Sequence, residues 1–387
     1  MSSPIREPSK QALGVDIGSR EMKLALLSGV ARTISVDAVR CIRLDTGTVI
    51  DGIILDRKGL AKKLREALTS VAIGHIPAVI SIPTQHATLR WVNLPKLPPD
   101  EHRVAASFKV KKHLPYPIED AYLSAGPVQI LDGDGIGESL VISVPKHVIS
   151  SRAFTAERAG LRPVSAQLEA QALLRVLERG LSRRSPLLRD ASMTIVDIGG
   201  STTDMYVVQN QKLQFIRSVR FGAARVARRI AEELGISDQL GDGMLPNPGG
   251  CLDHEGILTL PYEGQAIKIS VQAELDVLIK EISRLMRYFR SLHAERSYAG
   301  ILDHMVVCGG FANVRGLSEY LETRLEIRIE PLQPFDAMTL NVSNTAFELA
   351  SRGQSSFAIA VGLALSQFNS EEATEDVSDD FVWARVA

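Results

Sequence analysis

Short apolar blocks punctuate this chain, and their period changes in a regular way. Short apolar or alternating runs predict strands: Met22 to Leu27, Val36 to Leu44, Ala78 to Ile82 before Pro83, Leu89 to Leu94, Ser139 to Val144, Met205 to Val208, Lys212 to Val219 and Met305 to Val307. Between them, helical spacing takes over. Gly59 to Ser70 places Leu60, Leu64, Ala67 and Leu68 on one face. Pro98-Pro99-Asp100 stops one element and starts a helix over Glu101 to His113, and further helices are expected at Ser150 to Ala159, Gln167 to Arg179, Gly222 to Leu234, Val271 to Leu292 and Gly316 to Leu325. A last apolar helix, capped by Ser355 or Ser356, runs through Phe368. Arg183 to Arg189 reads as a linker. The stretch 235–264 is rich in glycine and proline with little periodicity, and is expected to be a long surface loop or lid.

One pattern occurs twice. Gly14-Val15-Asp16-Ile17-Gly18-Ser19 and Ile195-Val196-Asp197-Ile198-Gly199-Gly200-Ser201-Thr202-Thr203-Asp204 each describe an apolar strand that ends at an aspartate, turns on glycine beside small hydroxyl residues, and returns as a second apolar run. Glycine permits positive φ in such a turn and lets backbone N–H groups approach an anion, so each tip is phosphate-sized. An aspartate at the strand end cannot hold phosphate, but it can hold the hydrated Mg²⁺ that accompanies one. A single Asp-Ile-Gly is more often a plain turn. Two copies imply a duplicated architecture in which facing hairpins clamp a nucleoside triphosphate.

Composition narrows the class. The chain has 387 residues, 45% of them hydrophobic, enough for two or three domains. Its mean hydropathy of +0.05 fits a folded soluble protein. Lys+Arg number 44 against Asp+Glu 45, a net charge of -1, and no basic stripe with interleaved aromatics occurs, so nucleic acid is not an expected partner. Cys41, Cys251 and Cys308 show no paired spacing, which argues for a reducing compartment and against a disulfide framework or zinc site. No apolar run reaches the ~18 residues of a membrane span, and Met1 to Lys10 lacks the apolar core of a signal peptide.

Paired strand-aspartate-glycine hairpins followed by an apolar strand ending in Gly309-Gly310 resemble the three-part nucleotide signature of the actin-like ATPase superfamily. Within it the chain resembles the PilM family of type IV pilus assembly over roughly Ala12 to Phe368. The more specific strings are His113-Leu114-Pro115-Tyr116-Pro117-Ile118-Glu119, Ala159-Gly160-Leu161-Arg162-Pro163 and Ser356-Phe357-Ala358-Ile359-Ala360-Val361-Gly362. The resemblance implies an α/β actin-like fold: two related halves with a nucleotide cleft and an inserted small α+β subdomain. Its expected parts are 1–83 and 146–190 in the first half, 84–145 as the insertion, 191–350 as the second half, 351–369 as a helix packing on the first half, and 370–387 as an acidic mobile tail.

It also implies roles. Asp16, Gly18, Ser19 and Lys23 match the first phosphate hairpin, and Asp197, Gly199, Ser201, Thr202 and Thr203 the second, with Asp16 and Asp197 holding Mg²⁺ through water. Gly309, Gly310 and Phe311 match the adenosine motif. Glu169 takes the place of a glutamate that positions water or metal in relatives, or is a solvated residue at a helix start. Glu281 and Arg284 either contact the adenine and ribose or form a surface pair. Two departures stand out. Arg20-Glu21 follow Ser19 where small hydroxyl residues are usual, so Glu21 must point away or pair with Arg20, and Phe311 replaces a common glycine, where it crowds or stacks on the base.

The implied function is an ATP-binding cytoplasmic scaffold, at most a slow ATPase, held at the inner membrane by the N-terminal segment of a PilN-like bitopic protein and by other pilus platform or motor proteins, with self-association open. The alternatives are a small-molecule kinase of the superfamily and an FtsA-like or MreB-like filament protein. Finally, Glu101 to His113 carries Arg103, Lys109, Lys111 and Lys112, with Val104 and Phe108 expected to face the subdomain core. Its basic face is either simply solvated or turned toward an anionic leaflet or acidic partner.

Overall fold

The computed structural model describes residues 10–30, 33–69, 76–126, 128–130, 135–184, 193–209, 212–245, 250–292, 304–336, 338–368 and 381–382. Two sheets form its frame, and each repeats the other. In the first, strands Thr33–Arg43, Glu21–Val30 and Lys10–Ile17 form an antiparallel meander that continues into the parallel strands Pro77–Ile82 and Arg162–Leu168. In the second, Lys212–Val219, Thr203–Gln209 and Met193–Ile198 do the same before His304–Cys308 and Arg328–Pro331. The register between the first two strands of each meander slips at Leu26/Leu27 and again at Val207/Val208. Both slips begin ten residues past the hairpin aspartate, Asp16 or Asp197, so the duplication extends to an irregularity of the backbone.

The C-terminal helix explains how the layers meet. All eight residues of Ala358–Leu365 are buried, as expected of a helix apolar on every side. It packs against Lys10–Ile17 on one side and the helix Glu169–Arg184 on the other. Close approach requires glycine twice: a Cβ on Gly14 would lie 1.8 Å from the Ala360 carbonyl oxygen, and one on Gly362 would lie 2.0 Å from that of Ala172. Neither serine caps this helix. The Ser355 hydroxyl donates to the Leu332 carbonyl and that of Ser356 to the Gly353 carbonyl, within a short 3-10 turn that precedes it. The apolar core around the helix continues through Ile195, Tyr206 and Cys308 of the second sheet, so the two halves share packing at their junction.

Several expectations need correction. The stretch 235–264 is not a structureless loop. It holds the helix Asp238–Met244 and the strands Cys251–Leu252 and Ile257–Tyr262, the latter paired with Gln265–Ser270 through a turn in which Glu263 and Gly264 both have positive φ. Leu252, Leu258, Leu260 and Ile269 tie this meander to the second half's core. The helix expected from Gln167 begins at Glu169, because Arg162–Leu168 is a buried strand. That helix runs to Arg184, so only the end of the expected linker remains, and 185–189 lie outside the described residues. In the tail, Phe381–Val382 pairs antiparallel with Ser165–Ala166 at the edge of the first sheet, while 369–380 lie outside the described residues.

The inserted subdomain packs the helix Pro99–Lys111 on strands Thr88–Pro95, Ala121–Ala125 and Ile136–Pro145. Its inward face is Ala106 and Val110 against Val92, Leu94 and Val141. Val104 and Phe108 point outward instead, 55% and 74% exposed, beside exposed Lys111 and Lys112. The i, i+4 spacing fitted either pair. The pair that lies inside is the smaller one, Ala106 and Val110.

Candidate functional site

Both hairpins close the same way. The Gly18 N–H donates to the Glu21 carbonyl at 3.1 Å and the Gly199 N–H to the Thr202 carbonyl at 2.9 Å, and a Cβ on either glycine would meet that same carbonyl at 3.0 Å. Neither glycine has positive φ, contrary to expectation, so close approach is the reason for glycine here. The second tip rests on the start of the helix Ala223–Leu234. Its Gly199 and Gly200 carbonyls accept from the Ala223 and Ala224 N–H groups, which leaves the tip at the positive end of the helix. The two tips face each other: a Cβ on Gly200 would lie 2.6 Å from the Arg20 stem and 2.7 Å from Ser19 Oγ.

Between them lies a cleft of about 1260 Å³ lined by Asp16, Gly18, Ser19, Lys23, Glu169, Asp197, Gly199, Ser201, Thr202, Gly309, Gly310 and Phe311. Gly309, at φ 91°, closes the third side, since a Cβ there would lie 2.2 Å from Asp197 Oδ1. Phe311 borders the cleft, but its side chain is 3% exposed within the second half's core, so the expected stacking on a base finds no free ring.

Three predicted residues are placed elsewhere. Thr203 is buried, and its hydroxyl donates to the Phe221 carbonyl at 3.0 Å, a structural bond rather than a phosphate contact. Glu281 and Arg284 pair with each other on the helix Gln272–Leu292, and neither is among the cleft-lining residues. The same helix buries Leu278, Ile282, Leu285 and Phe289, as its spacing predicted. Glu21 takes neither expected course. It pairs with Lys23 at 3.2 Å, and Arg20 pairs with Asp242.

The electrostatics follow from burial of like charges. Asp197 is pushed up to about 7 by burial, with Asp204 and Asp16 adding repulsion. Burial carries Asp204 up to about 6 against the Ser218 hydroxyl that donates to it. Glu169 rises well above the ordinary carboxylate range through burial and the three aspartates, although the Thr84 N–H donates to it at 3.0 Å. Asp16 is raised by burial, and Lys23 opposes the rise. Burial works against charge on Lys23 too, but Glu21 and Asp16 more than offset it and keep the ammonium charged. A divalent cation among these carboxylates would relieve their repulsion.

Sequence reasoning missed the supports. Arg152 is 1% exposed and donates to the carbonyls of Ile17, Ser81 and Gly52, bracing the strand end that carries Asp16. The signal was an arginine at the helical spacing of Val148, Ile149, Ala153 and Ala156. The Ile17 N–H also donates to Ser81 Oγ. Tyr206 and Thr84 join the halves through a 2.9 Å hydroxyl bond, and Thr84 also lines the cleft. Asp204 pairs with Asp197 across the second hairpin as Lys23 pairs with Asp16 across the first, so the repeat itself pointed to it.

Known proteins match this arrangement. A structure described as the PilM-PilN type IV pilus biogenesis complex aligns over 93% of this chain and 99% of its own, with a TM-score of 0.75 and 22% identity. Ethanolamine utilization protein EutJ from Carboxydothermus hydrogenoformans aligns over 94% and 91%, with a TM-score of 0.52 and 16% identity. The cell division protein FtsA of Streptococcus pneumoniae is 21% identical over 368 residues, 86% of this chain and 77% of its own. The fold is thus the actin-like ATPase fold that the duplicated sheets suggest. The sequence profile described as type IV pilus assembly protein PilM matches residues 14–248 and 254–368, which take in both hairpins, the inserted subdomain and the C-terminal helix, and by that match the chain belongs to the PilM family.

Proposed function

We propose that this chain is an Mg²⁺-ATP-binding scaffold of a type IV pilus assembly platform, held at the inner membrane by the cytoplasmic N-terminal segment of a PilN-like protein. One observation carries the nucleotide reading: two hairpin tips of identical backbone closure face each other across a cleft rimmed by buried carboxylates. The residues suit the ligand. With the Gly18 and Gly199 N–H groups closing the turns, the backbone N–H groups of Ser19, Gly200 and Ser201 at the tips suit phosphate, and Asp16 and Asp197 suit a cation. Among the described residues no three carboxylate, histidine or cysteine groups gather into a metal cluster. A cation here therefore keeps much of its water and takes its remaining ligands from phosphate, which is the habit of Mg²⁺. When bound, Mg²⁺ neutralises phosphate charge. On this reading Glu169 positions water, and turnover is at most slow.

Affinity should depend on pH in a definite direction. Cation binding requires ionised carboxylates, and Asp197 holds its proton up to about 7. Calorimetry should therefore find Mg²⁺-ATP about tenfold weaker at pH 6 than at pH 8 from this group alone. Tighter binding at the lower pH would contradict the assignment of Asp197.

The partner reading rests on the family and on the relative described as a PilM-PilN complex. No helix among the described residues is long and apolar enough to cross a membrane, so attachment through a partner is the reading that fits. A synthetic cytoplasmic segment of a PilN-like protein, titrated against the full chain, is expected to bind saturably beside the inserted subdomain. Failure to bind both with and without Mg²⁺-ATP would remove this partner.

A further inference from the structure

Arg20 stands at the tip of the first hairpin, next to Ser19, and its stem lies across the tip of the second, within 2.6 Å of where a Cβ on Gly200 would be. From there its guanidinium reaches Asp242 on the helix Asp238–Met244. The ion pair thus runs from the first half to the second, and both residues line the cleft. It is only about one-fifth exposed, with side-chain exposures of 22% and 19%. Burial weakens the charged form of each partner, lowering Arg20 and raising Asp242, while each supports the other. Arg43 approaches the same helix, with Nη1 3.0 Å from where a Cβ on Gly243 would be. The helix is otherwise anchored on its own side, where Gly241 presses against the Ala227 carbonyl.

A guanidinium bound to a carboxylate is a guanidinium that phosphate can capture, because both anions present oxygen pairs to the same planar fork and phosphate carries more charge. Arg20 is also the cation on the hairpin tip itself, beside Ser19, against Gly200 of the facing tip and in the lining of the cleft. Lys23, the other cation of the hairpin, is already committed to Glu21.

We propose that Arg20 is the residue through which this chain distinguishes a nucleoside triphosphate from a diphosphate: the terminal phosphate takes its guanidinium from Asp242, and the helix Asp238–Met244 loses that ion pair to the first half and keeps only Arg43 beside it. The inference rests on the nucleotide reading above and adds to it a specific sensor and a specific mobile element. Beyond the sensor, it gives the segment after Gly235 a purpose, since its ion pair to the first half lasts only until a triphosphate arrives.

The test compares Mg²⁺-ATP with Mg²⁺-ADP by calorimetry on the full chain, and follows amide exchange in 238–244. In the natural protein ATP should bind more tightly than ADP, and exchange in the helix should rise with ATP alone. Arg20→Gln should cost about tenfold or more in ATP affinity, the scale of a lost charge-assisted pair, while leaving ADP within about twofold. Asp242→Asn removes the competing carboxylate, so it should strengthen ATP binding severalfold, leave ADP unchanged, and raise exchange without nucleotide. Equal losses for ATP and ADP in Arg20→Gln, or weaker ATP binding in Asp242→Asn, would overturn the sensor. Should the natural protein bind neither nucleotide, the nucleotide reading itself falls. If Arg20→Gln does not fold, Asp242→Asn decides alone, because its expected gain in affinity cannot arise from damage.

Discussion

Asp197→Asn is expected to weaken Mg²⁺-ATP binding by about a hundredfold or more and, at the same time, to make the unliganded protein harder to unfold. The first effect follows from losing the strand-end carboxylate best placed to anchor the cation. The second follows from the cost of keeping it there. Asp197 is buried beside Asp204 and Asp16 and holds its proton up to about 7. An unfolded chain releases that proton near pH 4, so between about 4 and 7 the native state binds more protons and loses stability as pH rises. Asparagine has no such charge. The melting midpoint of the variant should exceed that of the natural protein by several degrees at pH 8 and by little at pH 5. Unchanged nucleotide affinity would remove the central claim about the cleft. A lower midpoint at pH 8 would show that Asp197 is paid for by a partner other than a cation. Asp197→Ala should lose binding to the same degree, with less gain in stability because it also leaves space beside Gly309.

The second large effect belongs to Gly362. Its substitution by alanine drives a Cβ to 2.0 Å from the Ala172 carbonyl oxygen, and the obstacle is backbone in the first turn of a helix, not the end of a flexible side chain. Relief requires moving the C-terminal helix off the helix Glu169–Arg184, which opens the apolar core that the helix shares with both sheets. Overpacking of this kind costs about 3 kcal/mol or more. Gly362→Ala should accumulate as insoluble protein or melt far below the natural chain, as should Gly14→Ala, which meets the Ala360 carbonyl on the opposite side of the same helix. Gly180→Ala is the control. It lies in the helix Glu169–Arg184 with nothing within 4 Å of its Cβ position, so alanine should stabilise by about 0.5–1 kcal/mol. A soluble, normally melting Gly362→Ala would mean that the helix seats differently from its place here.

The parts of the site that were legible in the sequence are local ones. Each hairpin is written in about ten consecutive residues, and its repetition gave the architecture before any contact was known. Pairings across long separations were not legible. Arg152 reaches Ile17 across 135 positions and Tyr206 reaches Thr84 across 122, and neither contact leaves a trace in local period. Glu21 could be foreseen to need a cation, but its choice of Lys23 depends on the strand beginning at Glu21 itself, which sets residues two apart on one face. The meander after Gly250 was hidden by composition. Its alternation at Leu258 and Leu260 is short, and glycine and proline around it read as loop, although Glu263-Gly264 is a turn that such a hairpin requires.

The duplicated sheets carry a consequence for direction. Two halves with the same strand order and the same slip in register would, if their hairpins were also identical, form a cleft with two equivalent ends, and a ligand could enter it either way round. The chain breaks that equivalence at several positions, and at one of them the charge is reversed: Lys23 stands opposite Asp16, and Asp204 stands opposite Asp197. One wall therefore carries a fixed cation and the other a surplus of carboxylates. Any ligand that pairs an anion with a metal ion then has a single favourable orientation, because reversing it would set like charges against each other on both walls at once.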